Sequence, residues 1–142
     1  MRVGSIHSSK KGRYVDYACK LADELLVARS EGLFKVIHFL HLRAEICSET
    51  LFDELAAFST DDRVGIVSLM NHTLGQWQFR DLTALKTYVA KRRGMNEAEF
   101  SEHVENLLSL QKKFGAAHEA GAVKEARRPG AVSASHDDAT AE

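Results

Sequence analysis

The chain has few of the residues and patterns that declare a function. Only two cysteines occur in 142 residues, Cys19 and Cys47. They stand far apart among apolar positions, so two buried free thiols are expected rather than a disulfide framework. There is a single proline, Pro129, and it lies beyond the last helical pattern. Neither sign of charge dominates. The formal net charge of −1 gives no whole-molecule field toward nucleic acid or a membrane. The most apolar run is shorter, and more charged, than the about 20 residues that cross a bilayer. The opening MRVGSIHSSKK has basic residues but no apolar core segment, so no secretory leader is expected. These absences point to a cytoplasmic protein with no membrane association. Signatures of catalysis are also missing: no CxxC, no HExxH, no phosphate-cradling glycine loop and no nucleophile elbow. The expectation is a non-catalytic protein, with no cofactor implied.

What the chain does have is apolar periodicity. It is strongest in Gly32–Cys47, GLFKVIHFLHLRAEIC. Leu33, Ile37, Leu40, Ala44 and Cys47 fall on one stripe of a 3.6-residue helix. Phe39, Leu42 and Ile46 form a second apolar strip, and only Lys35, Arg43 and Glu45 are firmly polar. Read as a helix, this stretch has more apolar surface than a small bundle hides. Phe39, Leu42 and Ile46 are therefore expected to meet a partner, either a second copy in a homodimer or another protein.

The flanking segments fit the same scheme. Arg13–Ser30 carries Tyr14, Ala18, Leu21, Leu25 and Ala28 on one side, and Gly32 ends it. A short helix is expected over Ser48–Phe58. The run Ser59-Thr60-Asp61-Asp62 is a helix-start signal, opening a helix with Val64, Val67, Met70, Leu74 and Trp77 inward. Asp81 caps the next helix, with Leu82, Leu85 and Val89. Asn96 caps a last one, with Phe100, Val104, Leu107 and Phe114. Residues 1–12 read as a flexible N-terminus in which Val3 and Ile6 allow a short strand. Residues 115–142 contain no Leu, Ile, Met or aromatic residue and read as a disordered tail. The expected fold is all-α: a compact bundle of five to six helices over residues 13–114.

Three groups of residues are site candidates. His38, His41 and Glu45 share one side of a helical Gly32–Cys47, which is a metal-ligand spacing; His72 and His103 are further histidines with no assigned place. The bland alternative is a pair of half-buried histidines bonded to water or backbone. Arg80, Lys86, Lys91, Arg92 and Arg93 stand against one acid, Asp81, over residues 80–93. They suit contact with DNA phosphates, and equally a helix end matched to its dipole. The short helix, the turn at Phe58–Thr60 and the segment after it have the outline of a helix-turn-helix. Trp77 and Phe79 beside Arg80 suit a partner anchor, or a closed core edge.

Two segments resemble the D subunit of the bacterial flagellar master activator. The first holds Tyr17, Leu21, Ala22, Leu25, Leu26, Phe34 and Lys35. The second runs Leu55-Ala56-Ala57-Phe58-Ser59 and then Trp77-Gln78-Phe79-Arg80-Asp81. Gly75-Gln76 stands where that family carries a cysteine linking two subunits, so that link is not expected here. The resemblance implies an all-helical homodimer that regulates transcription with a second subunit, with DNA contacts in the basic region after Phe79. The resulting expectation is a helical regulatory or adaptor protein, in its specific form a DNA-binding transcription-regulator subunit that acts as a dimer with a partner protein. The alternatives are a small structural subunit of a larger complex, or a helical metal-binding protein.

Overall fold

The computed structural model describes residues 1–3, 17–75, 82–83, 85–87 and 95–135. It is an α/β fold, not an all-α bundle. Among the described residues four strands form one sheet in the order β1 (Arg2–Val3), β2 (Leu40–Glu45), β3 (Val64–Met70) and β4 (Val132–Ser135), every neighbouring pair parallel. Between them run α1 (Tyr17–Ser30), α2 (Leu51–Ala56), a 3-10 turn (Thr60–Asp62) and α3 (Glu97–Arg127). Strand order follows chain order without a reversal. With crossovers of one hand, such winding puts the helices on one side of the sheet.

The central correction is the Gly32–Cys47 stretch. Helical and two-residue periods overlap in a short apolar run, and here the two-residue period is the true one. Leu40, Leu42 and Ala44 alternate inward, and Ile46 continues the series just past the strand. All four are buried. Leu33 and Ile37, members of the expected helical stripe, are 67% and 74% exposed in the loop before β2. The expected helix from Val64 is also a strand. Its run of Val64, Ile66 and Val67 favours the pleated surface, where β-branched side chains pack well. Ser59 does cap, and Asp62 Oδ2 accepts from its backbone N–H at 2.5 Å, but the cap opens a single 3-10 turn. Arg63, at φ +52°, then breaks the turn and leads into β3. No helix-turn-helix forms there.

Local signals worked better at helix ends. Leu33 N–H reaches back to Ala28 O at 3.0 Å, and Gly32 at φ +70° supplies the left-handed residue that ends α1. Asn96 and Glu99 form a reciprocal capping box at the start of α3. That helix runs on to Arg127 and is followed by β4, so residues 115–135 are ordered, against the expected disordered tail. Alanine makes this possible. Ala122 and Ala126 let α3 approach the sheet closely, together with Ala18 and Ala22 of α1.

The main core lies between the sheet and these helices. Val3, Leu40, Leu42, Ala44, Val67 and Leu69 meet Ala18, Ala22, Leu51, Leu55, Ala122 and Ala126 in one buried cluster. A second, smaller cluster joins Leu85, Phe100 and Leu107. The other face of β2 and β3 carries His41, Arg43 and Glu45 beside Ile66, Ser68 and Met70. Among the described residues no helix is long and apolar enough to cross a membrane.

Candidate active site

The densest polar chemistry sits where β2 and β3 end. Glu45 is the last residue of β2, and its side chain is fully buried. Two residues past the end of β3 stands His72. Its Nδ1 lies 2.5 Å from Glu45 Oε2, and its backbone N–H points to Oε1 at 3.4 Å. A carboxylate takes an imidazole N–H, so Glu45 fixes the proton on Nδ1 and makes Nε2 the basic nitrogen. The two residues are 27 apart in sequence and are joined only because β2 and β3 pair in parallel, ending at the same edge.

The turns after both strands are tied together. Asn71 Oδ1 accepts from Thr73 N–H at 3.2 Å, from Thr73 Oγ1 at 2.5 Å and from Cys47 Sγ at 3.5 Å. Ile46 N–H donates to Met70 O at 3.0 Å. These bonds hold His72 against Glu45 from both sides. The thiol of Cys47 is pushed up to about 12 by burial first, and then by the nearby Glu45 charge; a hydrogen bond with Thr73 opposes them. Cys47 is thus a neutral thiol at this edge, not a nucleophile.

A buried carboxylate is costly unless it is bonded. One placed beside a histidine at the C-terminal edge of parallel strands is where α/β folds carry their ligands and chemistry. Chemically the pair can orient and relay a proton. Two donors fall short of a structural metal centre, which takes about four ligands. Among the described residues no three His, Cys, Asp or Glu side chains gather to hold a metal.

The sequence candidates are mostly separated. His38 is in the loop before β2, with Nδ1 2.9 Å from Val36 O and its ring against Phe34. His41 Nε2 meets Ser68 Oγ at 2.8 Å. Glu45 instead meets His72. The helical spacing that brought the three together on paper is lost in an extended strand. His103 lies on α3. Of the basic group, Lys86 is described. It is exposed and ion-paired with Glu97 at 2.7 Å. Arg80, Lys91, Arg92 and Arg93 lie outside the described residues, as do Trp77 and Phe79. Leu42 and Ile46 are in the core, whereas Phe39 is 65% exposed. The site residue not assigned from the sequence is His72. The pointer to it was a β-branched run ending in the polar Asn71-His72-Thr73.

No family model matches the chain, and no solved structure matches it. Among curated proteins it is 26% identical over 121 residues to the alpha-D-ribose 1-methylphosphonate 5-triphosphate diphosphatase of Escherichia coli (strain K12). The match takes in 85% of this chain and 32% of that protein, so the chain spans about a third of its relative's length. The relative is an enzyme, and this similarity overturns the expectation of a non-catalytic protein.

Proposed function

We propose that this chain carries phosphoanhydride-hydrolysing chemistry, with a 5-triphosphate ester as substrate and diphosphate as the released group. The observation that carries the reading is the buried Glu45 carboxylate 2.5 Å from His72 Nδ1 at the ends of two adjacent parallel strands. Similarity to a diphosphatase supports the choice of bond.

In this reading Glu45 is a positioning residue and His72 the base. A water oxygen attacks phosphorus and forms the new P–O bond. The bridging P–O bond breaks, and its electron pair leaves with the diphosphate. The water proton passes to His72 Nε2, the nitrogen turned away from Glu45, and the imidazolium so formed is stabilised by the Glu45 charge. Positioned acid–base groups of this kind contribute on the order of 10²–10⁴ in rate.

The test is release of diphosphate from ATP, a ribose 5-triphosphate ester, by the purified chain, with and without added magnesium. Turnover by the wild type and a loss of about 10²-fold or more in His72→Ala support the reading. Absence of turnover under both conditions, or an unaltered His72→Ala rate, overturns it.

A further inference from the structure

The end of the sheet opposite the Glu45–His72 pair, where the parallel strands begin, is apolar and open to water. Phe39 stands just before β2. A Cβ on Gly65 would lie 3.2 Å from Phe39 Cβ, so Phe39 is seated on the bare backbone of β3. Ile66 follows Gly65 and pairs with Val132 of β4. The loop before Phe39 adds Leu33, Val36 and Ile37. Ile66 is 41% exposed, and the other five are between 65% and 74% exposed. At these exposures the six side chains present on the order of 700 Å², more than the roughly 300–600 Å² of the largest apolar patch on an ordinary monomer.

Size and charge together say what covers this patch. A stable interface takes about 800 Å² from each partner, so the patch is large enough to hold a second copy of the chain. Its charges are of both signs. Glu31 precedes Leu33, and Lys35 lies between Leu33 and Val36; both are exposed, and among the described residues neither is ion-paired. A twofold contact brings residue i of one copy to residue j of the other and j to i, so an acid and a base in one loop complement themselves. A net charge of −1 adds little repulsion between copies. Parallel sheets are ordinarily covered on both faces, whereas α1 and α3 pack on one face here.

We propose that the chain is a homodimer whose copies meet through the Leu33–Phe39 loop and the starts of β3 and β4, about a twofold axis that sets Lys35 of one copy against Glu31 of the other. Ile37 and Phe39 are the apolar anchors. The Glu45–His72 pairs lie at the far ends of the strands, clear of the contact, so the association stands or falls apart from the hydrolytic reading.

The experiment is analytical ultracentrifugation of the full chain across a range of protein concentrations. It compares wild type, Ile37→Glu, Lys35→Glu, the double variant Lys35→Glu with Glu31→Lys, and Leu108→Glu. The wild type is expected to reach twice the chain mass and to stop there. Ile37→Glu should weaken the dimer about tenfold or more, as loss of a central apolar anchor does. Lys35→Glu should weaken it about threefold, and adding Glu31→Lys should restore it. Leu108 is exposed on α3, away from the patch, so Leu108→Glu should leave the dimer unchanged. A wild type that stays monomeric at every concentration overturns the proposal. So does a dimer that Ile37→Glu leaves intact, which puts the contact on another surface, and so does a mass that grows past two copies. Weakening by Lys35→Glu that Glu31→Lys does not restore removes the twofold arrangement and overturns it as well. Should Ile37→Glu fail to fold, the charge reversal and its restoration decide.

Discussion

The two faces of β2 and β3 are made from the same ladder yet answer to different physics. One face presents Leu40, Leu42, Ala44, Val67 and Leu69 to the helices, and its stability comes from removing apolar area from water. The other presents His41 bonded to Ser68 and Glu45 bonded to His72, polar groups matched pair by pair through hydrogen bonds. The first is a packing problem, tolerant of which apolar residue is used as long as volume is kept. The second tolerates little, since a lost partner leaves a buried polar group unpaired. The contrast explains how one strand, LHLRAE, can serve the core and the site together. Alternate residues are committed to each.

That contrast can be broken from either side. The largest expected effect on the packed face is from Leu42→Ala, which empties a position that is 1% exposed. It should cost about 2–5 kcal/mol in denaturant unfolding. Chemistry per folded molecule should change little. A loss of turnover out of proportion to the loss of folded protein would join the two faces functionally.

A smaller effect is expected at Gly121 in α3. A Cβ there would stand 2.5 Å from Phe52 Cζ, so either the Phe52 ring turns or α2 and α3 part for alanine to fit. Overpacking costs about 1–3 kcal/mol, against about 1 kcal/mol gained from helix propensity. Gly121→Ala should therefore be mildly destabilising in thermal melts. A clear rise in melting temperature would show that Phe52 swings aside without loss.

The smallest effect belongs to Cys47, which borders both faces. Its folded thiol is raised to about 12 from an ordinary 9.0. A raised acid contributes stability while it is neutral in both states, so the contribution is whole below pH 9. It is lost as pH rises from about 9 through about 12. Replacing Cys47 by serine should flatten stability against pH in that window alone. At pH 8, thiol reagents should label half-buried Cys19 first and reach Cys47 only on unfolding.

Some of this fold was readable from the sequence. The end of α1 at Gly32 and the capping box Asn96–Glu99 are local signals, complete within a few residues. Strand identity was not local. Leu33, Ile37, Leu40 and Ala44 satisfy a helical step, while Leu40, Leu42, Ala44 and Ile46 satisfy a strand step, and only pairing with β3 chooses between them. Ser59 gave a true cap and a false helix, because Arg63 turns left-handed directly after it. At the site, Glu45 was noticed for its spacing from His38 and His41, a spacing that means nothing in an extended strand. Its actual partner, His72, is set by strand register across 27 residues, which no pattern within either segment encodes. The alanine-rich end misled for a related reason. Ala122 and Ala126 bury little surface each, but they allow a close approach to the sheet that composition does not reveal.

The measurement that bears most directly on the account is diphosphate release by Glu45→Gln, taken beside its melting temperature. The amide keeps the shape of the side chain and removes a fully buried charge. If Glu45 is there to orient His72, release should fall by about 10²-fold or more while the melting temperature holds or rises. Release close to that of the wild type, or a collapse in melting temperature with unchanged turnover per folded molecule, would make the pair a structural tie and contradict the account.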